Sequence, residues 1–139
     1  MSFREKSAWI SFVLILLLSL VYFSHAVVVA AHQQGYEPLG HLFFALVGAL
    51  VVLEIALHVA VAIRAPREAS TDKDERDRLI DLKATHIAFP VLLVGALAAN
   101  LPMHLGGGRW AMSQCIVLAI VIAELVRFGS QIVYYRRDA

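Results

Sequence analysis

The chain has 139 residues, of which 60% are hydrophobic and only 17% charged. Its mean hydropathy is +0.72. A soluble domain carries roughly 45–50% apolar and about 25% charged residues, so the balance speaks against a soluble fold and still more against a disordered chain. Four Pro, eight Gly and one Cys exclude collagen-like and disulfide-rich scaffolds. A net charge of +1 offers no basic field, so direct nucleic-acid binding is not expected.

Four apolar runs follow one another: 8–31, 42–63, 84–103 and 111–135. A helix rises ~1.5 Å per residue and a bilayer core is ~30 Å thick, so each run is long enough to span it. The first run follows a charged stretch like a signal peptide, and Val29-x-Ala31 resembles a cleavage site. The apolar run is too long for a signal h-region, so it reads as an uncleaved span. The third run is the most interrupted, by Pro90, Gly95, Asn100 and Pro102. Lone Cys115 lies in the fourth and reads as a small packing residue. The fold class is all-α integral membrane: a four-helix transmembrane bundle forming a single domain.

Arg4 and Lys6 precede the first span, and Arg136 and Arg137 end the fourth. The loop 64–83 holds Arg64, Arg67, Lys73, Arg76, Arg78 and Lys83. The first loop has no Lys or Arg and the third only Arg109. Cytoplasmic loops collect Lys and Arg, which predicts an inner membrane protein with the middle loop and both termini in the cytoplasm.

That loop is the main soluble segment. Thr71 with Asp74 fits a capping box, and Asp72, Asp74, Glu75 and Asp77 suit the positive end of a helix dipole. A helix is predicted from about Asp72 into the third span. Asp74, Glu75, Asp77, Arg78 and Asp81 are either a solvated face that also sets topology or a contact surface for a cytosolic protein.

Two short internal matches suggest a pair of repeated helical hairpins. Lys6 to Phe12 resembles Lys83 to Phe89, and Leu53-Glu-Ile-Ala56 resembles Ala123-Glu-Leu-Val126. Hairpins of one orientation would be related by an axis along the membrane normal. This places Glu54 and Glu124 at equal depth.

Ionisable side chains inside a span are costly, ~2.5–3.5 kcal/mol on insertion scales, and should face protein. Glu54 has His58 one turn on, Glu124 has Arg127 three residues on, and His86 enters from the cytoplasmic end. Counted from that end, all five fall in the inner half and suit one polar cluster. Two neighbouring carboxylates favour holding a proton between them, so the cluster reads as a site for protons, a cation or a small ligand. The plainer reading is that the two pairs hold helices together, at ~0.6–2 kcal/mol per contact.

His25, His32, His41 and His104 lie toward the outer side, and an outer metal site is conceivable there. No CxxC or HxxxH spacing supports it, and interfacial histidine needs no ligand. Two haems are disfavoured. His41 and His58 differ by ~100° in helix phase, and the two levels would stand ~26 Å apart. A single haem between His58 and His86 is the minor option. No GxSxG, HExxH or P-loop is present, so an enzyme is not expected.

Two stretches, FREKSAWIS (Phe3 to Ser11) and DERDRLIDLKA (Asp74 to Ala84), resemble a group of small, largely uncharacterised bacterial four-span membrane proteins. The likeness covers most of the chain in layout, but only these stretches in residues. Such proteins are often encoded beside small helix-turn-helix regulators. The resemblance therefore implies sensing, or holding a transcriptional regulator at the membrane, and carries over no catalytic residue. The expectation is a non-enzymatic membrane protein that binds or senses. The alternative is a small proton-coupled transporter using Glu54 and Glu124, and so short a chain would have to form a homodimer to enclose a pathway.

Overall fold

A computed structural model describes residues 3–32, 37–64 and 75–137. These residues are helical except at His32 and in two short breaks, 99–100 and 105–107, with no strand among them. We number the helices α1 (Phe3–Ala31), α2 (Glu37–Arg64), α3 (Glu75–Ala98), α4 (Leu101–His104) and α5 (Gly108–Arg137). Four stretches are long and apolar enough to cross a membrane: α1, α2, α3 with α4, and α5. The capping box and Asp72 to Asp74 lie outside the described residues. The helices α1, α2, α3 and α5 begin ahead of their apolar runs, and α3 carries its charged front, Glu75 to Lys83, as continuous helix into the apolar part.

The chain forms two compact units, Met1–Ser70 and Thr71–Ala139. Each is an antiparallel helical hairpin.

In the first unit α1 packs on α2. Ser7 meets His58 at one end, and the rings of Tyr22 and Phe43 meet edge to face at 5.7 Å further along. The two contacts are fifteen residues apart on each helix, so the register is constant. It sets Ser11, which is buried, opposite Glu54. Tyr22, Val29 and Leu39 are the buried side chains toward the other end.

In the second unit α3 packs on α5 over most of its length. The buried side chains are small, Ala84, Ala88 and Ala99 on one side of the hairpin and Ala119 and Ala123 on the other, with Ile80 and Ile132 at the polar end. Lipid tails are as apolar as leucine, so helices in a membrane associate by close packing, which small residues permit. Gly95 is the tightest point. A Cβ there would stand 2.7 Å from the Ala119 Cβ.

The third span is broken where its sequence is most interrupted. Pro90 stays inside α3 and has no N–H for the His86 carbonyl. Pro102 likewise offers none to Ala98, and the helix stops there. Asn100 bonds back through Nδ2 to the Ala96 carbonyl (3.2 Å). After α4 the chain reverses through three glycines. Gly106 and Gly108 have φ of 83° and 66°, a region open to glycine but strained for other residues. Gly107 sits so close to Pro102 that a Cβ would lie 3.0 Å from its carbonyl oxygen, and its N–H donates to that oxygen at 2.7 Å. The triple glycine is a folded corner rather than a slack linker.

Candidate functional site

The polar residues of the first unit converge on one seam. Glu54 and His58 are one turn apart on α2, and Ser7 and Ser11 one turn apart on α1. The His58 ring joins the two helices. Its Nδ1–H donates to the Glu54 backbone carbonyl at 2.7 Å. A carbonyl only accepts, so Nδ1 carries the proton. In the neutral ring Nε2 is then the acceptor, and the Ser7 hydroxyl stands 2.5 Å from it, placed to donate. Both ring nitrogens are occupied. That leaves no lone pair for a haem iron unless Ser7 is displaced.

Glu54 is the open member of the seam. It is half-buried, and its Oε1 is shut from solvent without a hydrogen-bond partner. The residue lies ten positions from Arg64, or roughly 15 Å along the axis. A carboxylate oxygen in such a place lacks the donors that normally stabilise its charge. A proton or a small cation would supply what is missing.

Glu124 and Arg127 belong to the second unit and satisfy each other in part. Arg127 Nη1 lies 3.4 Å from Glu124 Oε2, with both side chains over a third exposed (36% and 38%). The guanidinium also stacks 4.6 Å from the Phe128 ring centre, while its Nε is buried without a partner. His86 is exposed. The five residues of the expected cluster thus fall into Glu54 with His58 in one unit and Glu124 with Arg127, and the exposed His86, in the other.

The acids ahead of the third span have structural partners. Asp81 accepts from Gln131 Nε2 at 2.9 Å, and Asp77 accepts from the Tyr135 hydroxyl at 3.1 Å. The partners step back by four residues as the acids step forward by four, the pattern of two antiparallel helices. Lys83 reaches over the Tyr134 ring at 5.8 Å. The polar end of α3 is therefore bonded to the polar end of α5. Glu75, Arg76 and Arg78 are exposed there, and Asp74 lies outside the described residues. Replacing Asp81 with Ala and Tyr135 with Phe together should weaken the α3–α5 pair by about 1–2 kcal/mol, at ~0.6 kcal/mol or more per lost membrane hydrogen bond. Titration with sodium dodecyl sulfate, followed by circular dichroism, reads this as an earlier midpoint. An unmoved midpoint would show these bonds to be idle.

The four outer histidines, His25, His32, His41 and His104, are all exposed. His32 Nδ1 donates to the Val28 carbonyl at 2.9 Å. Among the described residues no group of three or more His, Cys, Asp and Glu is placed to hold a metal ion.

No family model, no curated protein and no solved structure matches the chain. Sequence reasoning missed Ser7, Ser11, Gln131, Tyr134 and Tyr135. A signal for the serines was present: Ser7 and Ser11 lie four apart at the start of the first span, as Glu54 and His58 lie four apart toward the end of the second.

Proposed function

We propose that this chain is a non-enzymatic, multi-pass protein of the bacterial inner membrane that responds to protons or a small cation through the seam of Ser7, Ser11, Glu54 and His58. The positive-inside pattern puts the seam in the cytoplasmic half, with the middle loop also in the cytoplasm. The observation that carries the reading is the buried, partnerless Oε1 of Glu54 beside a histidine that ties α1 to α2. A proton arriving from the cytoplasm has two acceptors. On Glu54 it removes the intramembrane charge. On His58 it turns Nε2 from acceptor to donor, so the Ser7 hydroxyl must turn a lone pair to the ring. Either event changes the contact between α1 and α2, and so bears on the loop that follows α2. The exposed charges at the front of α3, Glu75, Arg76 and Arg78, would offer that change to a cytosolic partner such as a transcriptional regulator.

Infrared difference spectra of the protein in lipid vesicles, taken across a pH step, test this. A protonated-carboxyl C=O band should appear on acidification and be missing in Glu54→Gln. A band unchanged by that substitution, or no band at all, sinks the reading. The transport alternative has less support, because Glu124 is already held by Arg127 at 3.4 Å.

A further inference from the structure

The second unit carries a groove at its polar end that the seam does not involve. It has a volume of about 390 Å³ and is walled by Ile87 of α3 and Val126, Gly129, Ser130, Val133, Tyr134 and Arg137 of α5. Val126, Ser130, Val133 and Arg137 recur at helical spacing and form one stripe down α5. Gly129 has no side chain to fill the space beside them. Ile87 and Val133 are well exposed, and Val133 is open over 49% of its surface.

The two ends of the groove differ. Its floor toward the span is apolar. At the other end stand two cations. Lys83 precedes Ile87 by one turn on α3, and Arg137 follows Val133 by one turn on α5. The helices are antiparallel, so both steps lead toward the same, charged end of the hairpin. Lys83 lies over the ring of Tyr134, itself a wall of the groove. Both cations are exposed. An apolar slot that opens between two cations and two hydroxyls matches one ligand chemistry: acyl chains joined to an anionic phosphodiester. Basic pockets between membrane helices on the cytoplasmic side hold such headgroups.

We propose that the groove between α3 and α5 is a site for an anionic phospholipid, with its phosphodiester between Lys83 and Arg137 and an acyl chain along Ile87, Val126 and Val133. Gly129 provides the room, and Ser130 and Tyr134 can donate to phosphate oxygens. The inference needs only that α3 and α5 lie in a bilayer. It stands or falls separately from the proton seam, since no residue is shared.

The test uses the full-length protein in dodecyl maltoside, titrated with phosphatidylglycerol or phosphatidylcholine and examined by native mass spectrometry. Phosphatidylglycerol should be retained about tenfold better than phosphatidylcholine. The double variant Lys83→Gln/Arg137→Gln should lose that preference. Gly129→Leu should lower retention of phosphatidylglycerol by filling the groove. The charge variant alters only exposed side chains, so it decides the matter even if Gly129→Leu folds poorly. Equal retention of the two lipids by the native chain overturns the proposal, as does an unchanged preference in the charge variant. Inorganic phosphate is added in a separate arm. If it binds alone and displaces the lipid completely, the site is one for free phosphate and the acyl assignment is wrong.

Discussion

Gly95→Ala should destabilise the α3–α5 hairpin, although alanine is the better helix former. Within a helix the exchange normally gains up to ~1 kcal/mol. Here the new Cβ would stand 2.7 Å from the Ala119 Cβ and 3.4 Å from its Cα, so the helices must part. Overpacking of this kind costs about 1–3 kcal/mol. Gly95→Val adds two methyl groups at the same point and should cost more, because parting the helices there also loosens Ala88, Ala99 and Ala123. Unfolding in sodium dodecyl sulfate should shift to lower detergent for both variants, with valine the larger. The double variant Gly95→Ala/Ala119→Gly returns the missing space and should recover most of the loss, a coupling that a double-mutant cycle measures directly. A midpoint raised by Gly95→Ala alone would show that the close approach is not what holds the pair.

Glu54→Leu and Glu124→Leu should move stability in opposite directions. Glu54 has a buried oxygen without a partner, so leucine removes a cost without breaking an ion pair. Insertion scales put an ionisable residue near mid-span at ~2.5–3.5 kcal/mol and leucine slightly below zero. Glu54 is off-centre and half-buried, so a gain of about 1–3 kcal/mol is expected. The same substitution should abolish the carboxyl band in the infrared experiment. Stability gained with response lost is the mark of a residue kept for its chemistry. Glu124→Leu strips Arg127 of its counter-charge and should destabilise. The loss should fall short of the ~3–5 kcal/mol of a fully buried pair, since both side chains are over a third exposed. If Glu54→Leu lowers the midpoint in the same assay, Glu54 is a structural tie between helices and the proton reading fails.

The candidate site was legible in halves. Glu54 and His58 stand out because an acid and an imidazole one turn apart are rare in an apolar run, and Glu124 with Arg127 for the same reason. Ser7 did not stand out, because a serine next to a lysine at the head of a span is common. Its role depends on which residue of α2 lies across from it. That register runs through Ser7–His58 and Tyr22–Phe43, contacts between residues far apart in the chain. Asp77 and Asp81 were harder still. Acids at the start of a helix suit the dipole and a solvated face equally well. Only the approach of Gln131 and Tyr135 shows that these two acids brace a hairpin, while Glu75, Arg76 and Arg78 beside them are exposed.

The amino-acid sequence by itself determined that four stretches are apolar and long enough for a bilayer, and where the charges between them fall. Those properties belong to single segments, because the transfer of a helix into hydrocarbon depends on its own side chains. The tertiary structure decided which helices pair, at what register, that Gly95 lets α3 approach Ala119 closely, and that Gly129 borders an open groove. It also decided that the deep ionisable residues divide between two hairpins, one with an unpartnered carboxylate oxygen and one with an ion pair. Apolar faces are chemically alike and interchangeable in sequence. Partner choice in a membrane rests on shape and on a few polar contacts, and these exist only once two helices meet.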